Sequence, residues 1–417
     1  MSEVAQAPHS SPDGHIPQLR FPEFNVSWNE YKLGSITDVV DSLHTTPKDY
    51  VSSGFPMIRV VDVSNIELDL NKCLNVSEET YRQFTKKYQP KVGDVVLSRV
   101  GTCGASIMLR TKDNVCLGQN TVLLHPKINK DFYHILVKSN IFQVQVSRRV
   151  VGSTQKTLSL KDLKLFKLNI PAKPEQQKIA EFLTAVDNKI EQLIKKQELL
   201  GEYKKGLMQQ IFSQAIRFKA DDGSDFPNWE EKKLGDVVST PVSDGPHLTP
   251  KFVKQGVPFL SVNNLVESKI DFSNVRYISI DDHLVFSKKC KPKKGDVLLG
   301  KAASVGKVAF VETDVEFNIW SPIAMIRPGN SNFSKYIYYC FQTRFILNQI
   351  SKFTNSSSQG NIGMGDINKI IIKLPNKLEQ TKIANLLSSI DSKIEQVGKQ
   401  LRESKQFKKA LLQQMFV

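Results

Sequence analysis

Two stretches of this 417-residue chain carry residue types that could hold a nucleotide, and both miss on spacing. Gly300-Lys301-Ala302-Ala303-Ser304-Val305-Gly306-Lys307-Val308 resembles a phosphate-binding loop. Such a loop needs four residues between its glycines and a Ser or Thr after the Lys, whose hydroxyl holds magnesium. Here five residues intervene and Val308 stands where the hydroxyl belongs; the repeat of this stretch, Arg99 to Ala105, lacks the Lys altogether. Gly360-Asn361-Ile362-Gly363-Met364-Gly365 has its glycines in the wrong order for a dinucleotide fingerprint, and it precedes Asp366 and a short strand instead of a helix opening a βαβ unit. There is no Pro-Pro dipeptide, so the N-P-P or D-P-P tetrapeptide of an amino-methyltransferase is missing. Seven histidines form no H-x-x-x-H pair and five cysteines no C-x-x-C pair. The expectation is no catalytic residue, no metal ligand and no cofactor held by this chain.

Bulk properties point to a binding role. A formal charge of +15 and a pI near 9.4 favour a polyanionic partner, because each Lys or Arg that neutralises a phosphate releases condensed counterions. The first residues have neither a basic nor an apolar signal region, and no apolar run reaches the roughly 18 residues of a membrane span. Scattered cysteines read as reduced thiols in a cytoplasmic protein.

What must position any binding residues is written twice. WNEYKLG from Trp28 returns as WEEKKLG from Trp229, 201 residues on, and DNKIEQ from Asp187 returns as DSKIEQ from Asp391, 204 residues on. Near-equal offsets at both ends of the repeat mean that a whole module was duplicated, which predicts two alike halves related by an approximate twofold axis. Within each copy, Leu33-Gly34 or Leu234-Gly235 begins a strand or turn. FPMIRVVDV (Phe55 to Val63) and VPFLSV (Val257 to Val262) read as β-rich runs. Gly93-Asp94-Val95 and Gly295-Asp296-Val297 open strands that turn at Gly104 and Gly306 into hairpins. Another strand ends at Pro126 or Pro328, and a helix follows over 133–146 or 334–350. LFKLNIP or KIIIKLP then leads into a long closing helix.

The closing helices carry the strongest pattern. Ile179, Leu183, Val186, Ile190, Leu193, Gln197, Leu200, Lys204, Leu207 and Ile211 fall at alternating spacings of four and three. So do Ile383, Leu387, Ile390, Ile394, Val397, Leu401, Ser404, Lys408, Leu411 and Met415. A mean period of 3.5 over more than four heptads predicts a coiled coil between the two helices. The polar positions Gln197, Lys204, Ser404 and Lys408 predict weaker pairing toward the C-terminal ends, or a second partner there. Pro174 with Glu175, and Asn376 with Glu379, read as helix starts, the latter as a variant capping box. A helix from 175 to 212 is a rod of roughly 57 Å at 1.5 Å per residue, which spans about one to two turns of B-DNA.

This plan resembles the specificity subunit of type I restriction-modification enzymes. The residues that carry the resemblance are the W-x-x-x-x-L-G openings (Trp28, Trp229), the G-D-V strands (Gly93, Gly295) and the Pro-x-x-x-E-Q-x-K-I-A starts (Pro171 to Ala180, Pro375 to Ala384). The D-x-K-I-E-Q cores and the K-K-x-L-x-Q-Q endings (Lys204 to Gln210, Lys408 to Gln414) complete it. The resemblance implies an α/β (α+β) fold: two target-recognition domains and two long helices in an intramolecular antiparallel coiled coil. The expected divisions are a disordered tail 1–18, a first recognition domain 19–173, a first spacer helix 174–213, a second domain 214–377 and a second spacer helix 378–417. It further implies that each domain reads one half of an asymmetric, bipartite site on double-stranded DNA. Two methyltransferase subunits, and restriction subunits beside them, would carry S-adenosylmethionine, ATP and Mg.

Leu43-His44-Thr45-Thr46-Pro47 set against Ser243-Asp244-Gly245-Pro246-His247 shows loops that differ, which predicts different bases for the two domains. Arg59, Arg99, Lys301, Asn263 and Asn264 are the candidates for base or phosphate contact, since Arg pairs with guanine and Asn with adenine in bidentate geometry. Gln155, Lys156 and Gln359, in the small-residue loops, join them. An alternative from another class is a two-domain DNA-binding regulator that dimerises through its coil. An acidic DNA mimic is opposed by the charge.

Overall fold

The computed structural model describes residues 16–63, 68–150, 156–329, 331–354 and 360–417. The chain forms two compact units, Met1–Lys195 with Gly398–Val417, and Lys196–Val397. Each therefore combines one globular module with the first part of one long helix and the last part of the other.

In the first unit an antiparallel four-stranded sheet runs in the order Thr37–Asp41, Thr121–Pro126, Val95–Ser98, Ser106–Met108. Val95–Ser98 is buried at every residue, as a central apolar strand must be. The G-D-V signature builds its entry. Gly93 sits at φ +90°, a region that other residues avoid, and the Asp94 carboxylate accepts the Lys91 N–H at 2.8 Å. The expected hairpin forms, with Gly104 at φ +89°. A second sheet places Phe55–Ile58 between Leu74–Val76, antiparallel, and Cys116–Leu117, parallel.

Three expectations are corrected here. FPMIRVVDV is strand only to Ile58; Val60–Val63 is a helical turn, because the Asp62 carboxylate takes the Arg59 N–H at 2.9 Å and ends the extended backbone. Leu33-Gly34 opens a one-turn helix, Leu33–Ile36, after the strand Asn29–Lys32, which pairs with Lys167–Ile170. The helix expected over 133–146 is two, Lys130–Lys138 and Asn140–Arg149, broken where Ser139 turns extended at ψ 157° and its hydroxyl donates to the Leu136 carbonyl.

The second unit repeats this frame. Its four-stranded sheet is Ser243–Asp244, Ile323–Ile326, Val297–Gly300, Val308–Phe310, and its three-stranded sheet sets Val257–Leu260 between Arg276–Ile278 and Asn318–Ile319. A small hairpin, Leu265–Val266 with Lys269–Ile270, is added. Glu230–Lys233 pairs with Ile371–Leu374 ahead of the one-turn helix Leu234–Val237. The helix expected over 334–350 is again two, Ser331–Cys340 and Arg344–Phe353, with the Thr343 hydroxyl capping the second.

The long helices are Lys173–Phe212 and Lys377–Gln414. None of the twenty seam positions from Ile179 to Ile211 and Ile383 to Met415 is exposed, Ile190 and Ile394 included. Within the first unit Ile179 and Leu183 share a core with Leu411 and Met415, so the two helix segments run antiparallel. Within the second, Met208 and Ile211 share a core with Ile383 and Leu387, antiparallel again. Of the four polar seam residues, the two lysines are paired. Lys408 pairs with Asp187 in the first unit, and Lys204 pairs with Asp391 at 2.6 Å in the second. The Asp of each D-x-K-I-E-Q core is thus met by the Lys of the other copy's ending, which pins one register, as a charged seam residue does.

The helices start where expected, and the Asn376 side chain caps the second by accepting the Leu378 N–H at 2.9 Å, but the glutamates of the first turns serve differently. Glu175, buried, accepts from Arg20 at 2.7 Å and from the Trp28 indole at 3.2 Å; Glu379, also buried, accepts from Arg217 at 2.7 Å and Trp229 at 3.1 Å. These glutamates tether each module's opening Trp to its closing helix instead of returning to a cap. The Glu175 hydrogen bonds push the Arg20 guanidinium above its ordinary pKa. Beside each tether lies an aromatic trio, Trp28 with Phe132 and Phe416, or Trp229 with Tyr336 and Phe212.

Candidate nucleic-acid interface

Sheet register decides which residues of the two modules correspond. Leu97 lies opposite Val122, and Val122 opposite Asp41; Leu299 lies opposite Ala324, and Ala324 opposite Asp244. Asp41 and Asp244 are therefore equivalent positions at the end of the sheet's edge strand. The loops that follow align as Asp41-Ser-Leu-His44-Thr-Thr46-Pro47-Lys48 and Asp244-Gly-Pro-His247-Leu-Thr249-Pro250-Lys251. Five of eight residues are identical, so the loops set against each other in the sequence were three positions out of step, and the comparison that made them look different is overturned. A D-x-x-H-x-T-P-K match at an offset of 203 is the signal that could have found them.

Each Asp holds the basic residue that follows the next-but-one strand of its sheet. Arg99, its side chain 11% exposed, approaches Asp41 at 3.3 Å, with Nη2 also 3.1 Å from the His44 ring. Lys301, 14% exposed, lies 3.1 Å from Asp244, which also takes Lys289 at 2.5 Å. Burial raises the Asp244 carboxyl pKa, but hydrogen bonds and charge from Lys289 and Lys301 outweigh it, and the net value lies below the usual range. His44 and His247, with side chains 61% and 71% exposed, reach the same carboxylates at 2.8 and 3.4 Å. Lys48, Thr46, Lys251 and Thr249 are exposed. The structure thus brings Arg99 and Lys301, picked from sequence, onto matched Asp–His loops that sequence reading missed.

Lys156 joins the first cluster: its carbonyl accepts the Gly101 N–H at 3.0 Å while its side chain is exposed. In the second module Ile362 N–H donates to the Lys301 carbonyl at 2.9 Å. Gln155 and Gln359 lie outside the described residues. The glycine-rich stretch 300–308 is the hairpin turn between strands Val297–Gly300 and Val308–Phe310, with Ala303 at φ +61° and Gly306 at φ +87°, so no helix follows it to receive a phosphate.

The turn after the strand Phe55–Ile58 or Val257–Leu260 is also matched in backbone but not in residues. Arg59 N–H donates to Asp62 at 2.9 Å, and Ser261 N–H donates to Asn264 at 3.0 Å. Arg59 corresponds to Ser261, and exposed Val61 to exposed Asn263. The Arg59 guanidinium is half-buried against Asp62 at 3.1 Å. Asn264, expected to contact DNA, is 7% exposed, and its amide donates to the Asp271 and Asn274 carbonyls at 3.1 Å each. It builds the turn and offers no edge to a base.

Among the described residues no group of three or more His, Cys, Asp or Glu is placed to hold a metal ion, and no helix is long and apolar enough to cross a membrane. The arrangement suits recognition of an anion, with the Lys48 and Lys251 ammonium groups at the surface and the carboxylates spent on Arg99, Lys301 and the histidines.

Comparison with known proteins identifies the pattern. The family model of the type I restriction modification DNA specificity domain matches twice, over residues 25–200 and 227–403. The MjaIX type I restriction enzyme specificity subunit of Methanocaldococcus jannaschii is 25% identical over 92% of this chain and 91% of its own. The EcoBI specificity subunit of Escherichia coli is 21% identical over 91% and 82%. Among solved structures, the S subunit from M. genitalium superposes with a TM-score of 0.61 at 16% identity, covering 96% of this chain and 99% of that one. A chain from a structure of the type I restriction-modification system gives 0.52 at 16% identity over 92% and 96%.

Proposed function

The chain belongs to the type I restriction-modification DNA specificity family, and from that premise we propose that its two modules read the two halves of an asymmetric DNA site. It is the sequence-specificity component of such a system and not its catalyst, and it works in assembly with methyltransferase and restriction subunits and DNA. The stand-alone regulator is not favoured, because both copies match specificity domains over nearly their whole length.

The observation that carries the two-half reading is the matched turn with unmatched residues: Arg59 and Val61 in one module, Ser261 and Asn263 in the other, on the same backbone. Like frames with unlike contact residues are what two half-sites of different sequence require. Arg99, Lys301 and Lys156 supply contacts beside them, and Gln155 and Gln359 remain proposed contacts. In this reading the paired helices set the number of unread base pairs and bind two methyltransferase subunits. Those subunits bring S-adenosylmethionine, the restriction subunits ATP and Mg, and the assembly acts in the cytoplasm.

The test is methylome sequencing of cells that express the chain with its methyltransferase partner. The expected result is a gapped motif with an adenine modified in each half. Exchange of residues 19–173 for those of another specificity subunit then changes one half only; a change in both halves would defeat the modular reading.

A further inference from the structure

Resting on the DNA-recognition reading above, we infer that the Asp-x-x-His-x-Thr-Pro-Lys loop of each domain grips the sugar-phosphate backbone and carries no base preference. The two loops keep five of eight residues, although the modules that bear them differ at the neighbouring turn. Retention here is not a packing requirement, since His44, Thr46 and Lys48, like His247, Thr249 and Lys251, are exposed. A polar surface kept alike in two modules that read different sequences touches something the two half-sites have in common.

Three things are common to both halves: the phosphodiester backbone, a target adenine and a partner subunit. Adenine is read by a donor and an acceptor presented together, as Asn or Gln does, and neither is among the five shared residues. A protein partner is held by apolar anchors, and here the apolar positions are the ones that change: Thr45 against exposed Leu248, and half-buried Leu43 against Pro246. What the loops share at the surface is an ammonium, Lys48 or Lys251, which makes no ion pair among the described residues; the His44 and His247 rings lie on Asp41 and Asp244, and the Thr46 hydroxyl donates to Gln119 at 3.0 Å. The one acceptor, Asp41 or Asp244, is turned inward onto Arg99 or Lys301. A surface ammonium whose neighbouring carboxylate is spent inward describes an anion grip, repeated once per domain.

The experiment uses the specificity chain assembled with its methyltransferase subunits, and Lys48→Ala, Lys251→Ala and their combination. Neither lysine makes an ion pair among the described residues, so both variants fold; His44→Ala and His247→Ala serve as a second pair. Affinity is measured by fluorescence anisotropy across a range of KCl, on the duplex found by methylome sequencing and on duplexes with either half replaced. Each single Lys variant is expected to lower the slope of log K against log[salt] by about 0.9, and the double variant by about twice that. The ratio of affinities for intact and half-replaced duplexes stays as in the wild type. The inference is overturned by an unchanged salt slope, by a preference altered at one half-site, or by loss of the methyltransferase subunits on purification. If the wild-type assembly itself does not distinguish the intact from the replaced duplexes, the DNA-recognition reading falls and takes this assignment with it.

Discussion

The turn after the strand Phe55–Ile58 begins with Arg59 and exposes Val61; its counterpart after Val257–Leu260 begins with Ser261 and exposes Asn263. Both turns are held by the same bond, from the first N–H to the side chain three residues on. The loops from Asp41 to Lys48 and from Asp244 to Lys251 behave oppositely, keeping five of eight residues, with Gly245 in place of Ser42 among the three that change. The contrast separates two kinds of surface on one scaffold. In the proposed reading, a kept backbone with varied side chains leaves the module free to choose a base, and kept side chains meet something that does not vary.

The largest effect that could break this equivalence of scaffolds lies in the cores. Phe416→Ala empties the centre of the Trp28 trio and is expected to cost the first unit about 3–5 kcal/mol, with Phe212→Ala costing the second unit less because Phe212 is only partly buried. Calorimetry of the two unfolding transitions checks the order, and a larger loss for Phe212 would reverse it. Next comes the exchange of Ser42 for Gly245 in the kept loops. A Cβ on Gly245 would stand 1.6 Å from the Ile319 carbonyl oxygen, whereas Ser42 already fits its own site. Gly245→Ser should therefore cost roughly 1–3 kcal/mol by overpacking and weaken recognition of one half-site, while Ser42→Gly should cost under about 1 kcal/mol. Comparable melting curves for the two variants would contradict the close approach.

The varied turn gives a sharper test. Arg59→Ala and Asn263→Ala are each expected to reduce discrimination by about 1–3 kcal/mol at one half-site and leave the other unchanged. Competition binding with single-base substitutions reads this directly, and a uniform loss at both halves would make these residues backbone contacts. The smallest effect is a difference in acid sensitivity. Burial, with Lys138, Arg110 and Lys408 nearby, holds His134 well below its ordinary pKa, so it stays neutral in the folded first unit. The unfolded chain takes up that proton near pH 6.5, so the stabilising neutrality is complete above that pH and is lost progressively as pH falls below it. Tyr338 holds the corresponding place in the second unit, and burial pushes its hydroxyl pKa upward, away from the acid range. Acidification from pH 7.5 to 5.5 should lower the first transition more than the second, and His134→Phe should abolish the excess.

Much of this was legible in the residues. The closing helices were, because a 3.5-residue period over more than four heptads has few competing explanations, and their ends fall at Lys173–Phe212 and Lys377–Gln414 against expected spans of 174–213 and 378–417. The hairpins at Gly104 and Gly306 were, because positive φ demands glycine there. The breaks at Ser139 and Thr343 were not, since both interrupt an apolar period that reads continuously; the Ser139 hydroxyl turns back onto the Leu136 carbonyl, while the Thr343 hydroxyl caps the next helix. Nor was the role of Asn264: an Asn beside another Asn looks free to read a base until the Asp271 and Asn274 carbonyls are found against it.

Duplication, the long seam and the family were all determined by the order of residues, because each is a pattern of local period or repeated text. The partners of Lys204 and Lys408, and the match of Asp41 with Asp244, were decided only by the tertiary structure. The offset between copies drifts from 201 at the tryptophans to 203 at these loops, 202 in the central strands and 204 in the helices. One-residue insertions of this kind are invisible to a fixed period. A β-ladder does register them, because every hydrogen-bonded pair specifies which residue stands opposite which.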